Sequence, residues 1–190
     1  MDWQAQYEIG ETPWDEGEAH PALADYIAEA GEFQGRILVP GCGRGHDVRG
    51  ISTQANEVIG LDIAAAAIAE ARKYPRPGRE EYILADLFDL PPELCQSFDW
   101  IVEHTCFCAI DPSLRPAYAE AVDGALKPGG HLFAIFFLNP GRDRQPPYGV
   151  IVEELDQLFS PSFALVQEWV PARTFEGREN RELIRLLRRL

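Results

Sequence analysis

The chain predicts an α/β fold in which a mainly parallel sheet carries helices on both faces. Three observations predict it. Short apolar runs alternate with segments of helical character from residue 36 onwards. A glycine-rich turn, Gly41-Cys42-Gly43-Arg44-Gly45, separates the first apolar run from the helix that follows. The length of 190 residues, 46% of them apolar and 25% charged, suits one substantial core and not two ordinary domains. Together these features specify one Rossmann-like domain.

Arg36-Ile37-Leu38-Val39-Pro40 is a short apolar strand that runs into the glycine turn, and residues 47–54 can form the helix after it. Residues 57–62 read as a second strand and the alanine-rich residues 64–73 as the next helix, completing a βαβ unit. Pro75, Pro77 and Gly78 stop that helix; residues 81–85 and 98–102 supply strands three and four. Asp111-Pro112 opens a helix over 112–125, which Lys127-Pro128-Gly129-Gly130 ends. The strongly apolar residues 131–137 form a fifth strand. A loop over 139–148, rich in Pro, Gly and Arg, leads to a helix over 152–158 and a sixth strand over 163–170. The leucines of the tail, 182–190, suit a helix or a strand. Residues 1–35 stand outside this alternation, because Trp3, Tyr7 and Trp14 are spread through a polar, glutamate-rich lead-in. That lead-in reads as an arm folded over something, with the domain proper at 36–190.

In an open parallel sheet, ligands settle outside the carboxyl ends of the strands, where strand order reverses. Gly41, Asp62 and Asp86 close the first three strands and fall on that edge. Glycines let the backbone turn sharply and approach a ligand closely, and the helix near Asp47 aims free amides at the site. Asp62, 17 residues after Gly45, can accept hydrogen bonds from both hydroxyls of a ribose. Asp86 can accept from an adenine amino group while Leu87 packs against the ring. The dinucleotide fingerprint needs its third glycine where His46 stands, and here that glycine comes one residue earlier. S-adenosylmethionine has no pyrophosphate to cradle and tolerates a bulky residue there; NAD does so poorly. S-adenosylmethionine is therefore the expected cofactor, with an NAD-dependent dehydrogenase as the weaker alternative.

The formal charge of -14 repels phosphate backbones and anionic lipid, which sets aside nucleic acid and membranes as partners. No stretch approaches the length of a membrane span, and the N-terminus lacks the basic and apolar regions of a secretory signal. A cytoplasmic monomer acting on a small molecule is expected. Cys42, Cys95, Cys106 and Cys108 lack CxxC spacing, and Cys106 and Cys108 flank Phe107 as buried small hydrophobes would. No metal is expected: Glu16, Glu18, Glu29 and Glu32 read as a solvated face. Arg142 and Arg144 in the late loop read as solvated surface charges, with attraction of an anionic substrate as the alternative. Arg173, Arg178, Arg181, Arg185, Arg188 and Arg189 are expected to pair with the acidic remainder of the surface.

The segment Val39-Pro40-Gly41-Cys42-Gly43-Arg44-Gly45-His46-Asp47 resembles the thiopurine S-methyltransferase family, and more closely its halide and thiol methyltransferase branch. Trp3, Tyr7, Thr12-Pro13-Trp14-Asp15, Phe107-Cys108-Ala109-Ile110 and Pro146-Pro147-Tyr148 extend the likeness, in order, over nearly the whole chain. The resemblance implies a seven-stranded sheet whose last strand runs antiparallel, so the tail is expected to be a strand. It also implies that the arm covers the cofactor through Trp3, Tyr7 and Trp14, where electron-rich rings attract a sulfonium cation. The expected cofactor set is thus Trp3, Tyr7, Trp14, Gly41, Gly43, Gly45, Asp62, Ile63, Asp86 and Leu87.

Methyl transfer from a sulfonium is an in-line displacement that depends on orientation and desolvation. Thiols, with a pKa near 8.5, are partly ionised at neutral pH, so no obligatory base is expected. His104 and Cys106 depart from the resembling branch, which typically has tyrosine and phenylalanine there. His104, read as just past the fourth strand, is the candidate catalytic residue. It can take a proton from a thiol, orient the substrate, or simply hydrogen-bond the loop. A thiol is the leading acceptor, with halide, oxygen, nitrogen or metalloid centres and a non-catalytic adenosylmethionine sensor as alternatives.

Overall fold

A strand covered on both faces must be apolar along its whole length, and the first strand, β1 (Gly35–Pro40), is buried from Ile37 to Pro40. The computed structural model describes residues 1–54, 56–138 and 145–190. Around β1 stand β2 (Asn56–Asp62), β3 (Glu80–Leu84), β4 (Phe98–His104), β5 (Leu126–Phe137), β6 (Phe163–Trp169) and β7 (Glu182–Arg189). They form a seven-stranded sheet in the order β3-β2-β1-β4-β5-β7-β6. β3, β2, β1, β4 and β5 pair in parallel, while β7 runs antiparallel to β5 and β6. The chain passes from β1 outward to β3 and returns to β4 on the other side of β1. Strand order therefore reverses between β1 and β4, and their carboxyl ends open the crevice that such sheets use for ligands.

The tail is a strand, as expected. β7 is inserted between β5 and β6, where both of its faces are covered: Leu183 and Leu187 join the core on one side and Ile184 the core on the other. A helix would bury only one stripe of the same leucines.

The helices are α1 (Trp3–Ile9), α2 (Pro21–Ala30), α3 (His46–Ile51), α4 (Ala65–Ala71), α5 (Arg115–Ala125) and α6 (Val152–Phe159). One core holds buried residues of α2, α3 and α4, the other those of α5 and α6, on opposite faces of the sheet. Several boundaries differ from the sequence reading. β4 runs on to His104 because β5 keeps pairing with it there, opposite Ile135. β5 starts at Leu126, opposite Phe98, so Lys127-Pro128-Gly129-Gly130 ends the helix from within the strand. α3 stops at Ile51, where Ser52 turns extended and donates to the buried Glu80 at 2.7 Å. The helix expected over 112–125 opens as a 3-10 turn, Pro112–Leu114, capped by Asp111. Arg142 and Arg144 lie outside the described residues.

The lead-in carries two helices, α1 and α2. Asp2 caps α1 by accepting from the Ala5 amide at 3.1 Å, and Gly10 ends it in the left-handed region at φ 73°. α2 begins with His20 at the cap and Pro21 in the first turn, and Gly31 ends it. Its Leu23 and the following Phe33 are buried in the core with Tyr26 beside them, Tyr26 lying 4.7 Å from the ring of Phe133. Burial of Leu23 and Phe33 contributes roughly 1.5–3 kcal/mol each. α1 and the segment to Asp15 lie over the carboxyl edge, and the His20 amide donates to Asp47 beside it at 2.8 Å.

Candidate active site

Gly41, Gly43 and Gly45 all adopt positive φ, at 59°, 53° and 75°. Close approach adds to this: a β-carbon on Gly41 would lie 2.9 Å from that of Cys106, and one on Gly43 would lie 2.7 Å from Tyr7 Oη. The turn is tied to β2 by the Cys42 amide, which donates to the Leu61 carbonyl at 2.9 Å. Asp62 completes the tie. Its Oδ2 accepts from the Gly43 amide at 2.9 Å and its Oδ1 from the Ala64 amide at 2.8 Å. Each oxygen keeps acceptor capacity beyond these bonds. Burial raises the Asp62 carboxyl above its ordinary range, against the lowering effect of the amides.

The aromatic residues of the lead-in sit directly on this turn. Trp3 and Tyr7, four residues apart, share one face of α1. Trp14 meets both edge-on, at 5.2 Å and 5.9 Å between ring centres, and its indole N–H donates to Tyr7 Oη at 3.3 Å. Burial pushes the Tyr7 phenol up to about 12, so it stays protonated. α1 is held down by Gln4, whose carbonyl accepts from the Ala66 amide at 3.0 Å. Ala64, at the cap of α4, has no side chain for this purpose, so Asp62 and Gln4 satisfy the free amides from outside the helix.

Beside the turn, Asp15 receives Arg44 Nη1 at 2.6 Å and faces His46 Nε2 at 3.1 Å. Arg49 donates to His46 Nδ1 at 3.1 Å, to the Arg44 carbonyl at 2.8 Å and to Tyr82 Oη at 3.2 Å. A guanidinium can only donate, so Nδ1 accepts and the ring proton sits on Nε2, towards Asp15. Burial lowers the His46 pKa. A carboxylate, Asp15, thus stands against the first residue of α3.

Past His104, Thr105 has φ 69°, an outlier for a β-branched residue and a strain of order 1–3 kcal/mol. Such strain collects at functional sites. Glu103 holds the turn from beneath, accepting from the Phe107 amide at 2.7 Å and from the Tyr118 hydroxyl. Burial pushes the Glu103 carboxyl up to about 7. Burial also raises the thiols of Cys42 and Cys106, and that of Cys108 to about 12, which keeps them protonated. The Cys108 carbonyl accepts from the Tyr148 amide at 2.7 Å, and Arg115 anchors the same loop by donating to the Gly149 carbonyl at 2.8 Å.

His104 ends β4 on the opposite face from Glu103. Its Nδ1 lies 2.7 Å from Asp47 Oδ2 and its Nε2 3.3 Å from Arg178 Nη1. Because Arg178 can only donate, the His104 proton sits on Nδ1 and is given to Asp47. Burial alone would raise the Asp47 carboxyl, but His104 and the His20 amide hold it below its ordinary range. His20 lies 4.7 Å from His104, ring to ring, and its Nε2 lies 2.8 Å from Glu182. Glu182 also receives the Thr174 hydroxyl. His20, His104 and Glu182 bring ligand atoms within 4.8 Å of one another. His20 Nδ1, however, accepts from the Ala22 amide, so its Nε2 carries the proton. Arg178 already supplies positive charge to the trio.

The structure therefore gathers Trp3, Tyr7, Trp14, Gly41, Gly43, Gly45 and Asp62 into one patch at the carboxyl ends of β1 and β2. Ile63, beside Asp62, is 60% exposed on this edge, whereas Leu87 is 6% exposed and packs into the core. Asp86 caps a short turn by accepting from the Phe88 amide at 2.9 Å. His104 lies across the crevice on β4. The sequence reading gave no role to Gln4, His20 and Glu182, and named Asp15 only within the family resemblance and Asp47 only there and as a helix start; Arg178 pairs with acids as expected, Glu16 and Glu182, but beside His104. His20-Pro21 was a legible helix start. Nothing local marks Gln4 or Glu182. Of the other C-terminal arginines, three pair with acids: Arg173 with Asp25, Arg185 with Glu168 at 2.7 Å and Arg189 with Asp123 at 2.7 Å.

A family model described as thiopurine S-methyltransferase matches residues 1–182. A probable thiol methyltransferase 2 of Arabidopsis thaliana is 36% identical over 163 residues, covering 84% of this chain and 71% of that protein. Thiocyanate methyltransferase 1 of Brassica oleracea is 35% identical over the same shares. A thiopurine S-methyltransferase of Legionella pneumophila (strain Corby) is 28% identical, covering 80% of this chain and 77% of that protein. Among solved structures, a 1,6-didemethyltoxoflavin-N1-methyltransferase of Burkholderia thailandensis with bound S-adenosylhomocysteine superposes with a TM-score of 0.76. It is 21% identical, with 99% of this chain and 85% of that chain covered, a likeness of fold.

Proposed function

This chain belongs to the thiopurine S-methyltransferase family, and from that premise we propose that it methylates a small soft nucleophile, most readily a thiol. It is an S-adenosylmethionine-dependent methyltransferase; the acceptor is the proposed part. The observation that carries the acceptor is the identity of 35–36% to proteins named for thiol and thiocyanate methylation, against 24–28% to those named for thiopurines.

The residues at the carboxyl edge fit the cofactor. Tyr7 Oη packs against Gly43 and Cys106 against Gly41 where β-carbons would stand, so the arm and the Thr105 segment close directly onto the glycine turn. The neighbouring cations are already engaged, Arg44 by Asp15 and Arg49 by His46, Tyr82 and the Arg44 carbonyl, while Asp15 occupies the entrance to α3. That arrangement suits a cationic ligand and repels a pyrophosphate, which weighs against NAD. In our reading Asp62 accepts from the ribose hydroxyls, Asp86 from the adenine amino group, and Ile63 and Leu87 border the base. Gly41, Gly43 and Gly45 form the floor, and Trp3, Tyr7 and Trp14 close the arm above.

When bound, S-adenosylmethionine supplies an electrophilic methyl group on positively charged sulfur. The chain's part is to orient and to exclude water. The arm rings cover the turn, the Glu103–Tyr118 bond holds the strained Thr105 segment, and His104 stands on the acceptor side. No buried cysteine competes as a nucleophile, since burial keeps Cys42, Cys106 and Cys108 protonated.

Transfer of labelled methyl to a panel of thiols, halides, phenols and amines tests the acceptor. Turnover is expected on thiols and on iodide; turnover confined to phenols or amines would overturn the proposal, and cofactor binding with no turnover at all would favour a sensor. His104→Ala is expected to lower turnover by about tenfold or more while leaving cofactor affinity within about twofold. Calorimetry showing an equal loss of cofactor affinity would remove His104 from the acceptor side.

A further inference from the structure

Asp47 stands in the first turn of α3, just past the glycine turn, and both of its carboxylate oxygens are engaged. Oδ1 accepts from the His20 amide at 2.8 Å, and Oδ2 accepts from His104 Nδ1 at 2.7 Å. The first of these donors belongs to the backbone and cannot turn away. Asp47 is thereby fixed in rotation, and it fixes the imidazole of His104 in turn. The ring proton is held on Nδ1 and the lone pair is left on Nε2. The lead-in, the cofactor turn and the end of β4 are thus joined through one carboxylate.

The surroundings of this ring favour a proton on Nε2 as well. Among the described residues, Asp47 of α3, Glu182 of β7 and Glu16 of the lead-in face His104 or its neighbour Arg178, so carboxylates outnumber the guanidinium. His20, at the start of α2, lies 4.7 Å away ring to ring and gives its own proton to Glu182, and Phe175 stands on a further side at 6.1 Å. The attraction is mutual: His104 helps to hold the carboxyls of Asp47 and Glu182 below their ordinary values. Arg178 Nη1 meets Nε2 at 3.3 Å, longer than the roughly 2.7–2.9 Å of a charge-assisted bond. Glu182 and Glu16 keep that guanidinium when Nε2 takes another donor. Next to the ring is Thr105, whose φ of 69° strains the backbone at this edge.

We propose that Asp47 and His104 form a base for an acceptor that arrives carrying its proton, with His104 as the catalytic residue and Asp47 as the residue that positions it. The inference deepens the acceptor reading above and rests on it. The acceptor's S–H bond breaks towards His104 Nε2 and leaves its electron pair on sulfur. That sulfur bonds the methyl carbon, whose bond to the cofactor sulfur breaks with its pair left on the departing S-adenosylhomocysteine. The imidazolium, held by Asp47, then releases the proton to solvent. A thiol of pKa about 8.5 is only about 3% ionised at pH 7, so a base in place raises its rate by about an order of magnitude. A halide has no proton to lose and gains nothing from the pair. The base therefore serves acceptors of ordinary acidity and is not required for methyl transfer itself.

The test compares the full chain with Asp47→Asn and His104→Phe. In Asp47→Asn the amide oxygen still accepts from the His20 amide, which turns the NH2 group towards His104 Nδ1 and drives the ring proton to Nε2. The ratio of kcat/KM for an alkyl thiol to that for iodide, measured at pH 7, is expected to fall about tenfold or more in both variants. The loss should vanish for an aromatic thiol already ionised at that pH, and should shrink for the alkyl thiol as pH rises through about 8.5. Nitrogen-15 spectra of the histidines should place the His104 proton on Nδ1 in wild type and on Nε2 in Asp47→Asn. An unchanged ratio with the proton moved, or equal losses on both thiols and iodide, would overturn the proposal. So would a wild-type proton on Nε2, which needs no variant to fold, or turnover confined to halides. If the acceptor proves to be a phenol or an amine, the acceptor reading falls by itself, and the base stands or falls on the same loss for that acceptor and its recovery at high pH.

Discussion

Replacing Asp62 with alanine is expected to weaken S-adenosylmethionine binding by about a hundredfold, the cost of two hydrogen bonds to a charged acceptor at roughly 1.5 kcal/mol each. The carboxylate does two things at once. Towards the protein it receives the Gly43 and Ala64 amides at 2.9 Å and 2.8 Å, joining the glycine turn to the entrance of α4. Towards the crevice, in the reading proposed above, its remaining lone pairs serve the ribose. Alanine leaves both amides without a partner, so the melting temperature should fall as well, each orphaned group costing about 1–3 kcal/mol. Asp62→Asn separates the two effects. Its amide oxygen can satisfy one backbone N–H but its NH2 opposes the other, so stability should lie between wild type and alanine. Calorimetric titration beside thermal melts decides the matter: a lower melting temperature with unchanged cofactor affinity would make Asp62 a brace of the turn and no more.

The second large effect is a dependence of stability on pH. Glu103 is buried beneath the Thr105 turn, and its carboxyl rises from an ordinary 4.5 to about 7 in the folded protein. Between these values the folded state holds a proton that the unfolded state has released, so stability is full below about 4.5 and declines until about 7. The loss across that window is of the order of 3 kcal/mol. Asp62, also raised by burial, contributes in the same sense. Asp47 and Glu182 act in the opposite sense. Both are held below their ordinary values despite burial, so their contribution is present above the ordinary range of 3.8 to 4.5 and lost only on further acidification. Denaturation by urea at pH 5, 6, 7 and 8 should therefore show wild type weakening as pH rises. Glu103→Gln, which still accepts from the Phe107 amide, should flatten the curve. A wild-type curve that rises over this range would refute the assignment.

Much of the fold was legible before any coordinates. The strand cores and the placement of Gly41 and Asp62 on the carboxyl edge follow from periodicity and turn chemistry, which act over a few residues. Boundaries were less legible where pairing extends a strand beyond its apolar run, as at His104 and Leu126. α2 escaped notice because Glu29 and Glu32 dilute a stripe made by Ala22, Leu23, Tyr26 and Ile27. The antiparallel β7 was reached only through family resemblance, since Leu183, Ile184, Leu186 and Leu187 satisfy either period until something lies on both sides of them.

By itself the sequence determined which segments become strands, where the backbone must turn through left-handed conformations, and that an adenosyl group suits the turn better than a dinucleotide. The tertiary structure alone decided the company of His104. Asp47 meets it across 57 residues and Arg178 across 74, while His20 meets Glu182 across 162. These contacts arise because β1 lies beside β4 and β7 beside β5, an order that follows from how whole faces are buried and that no local spacing encodes. An arginine that looked like one of six surface charges is thereby brought to the one histidine that ends a strand at the crevice.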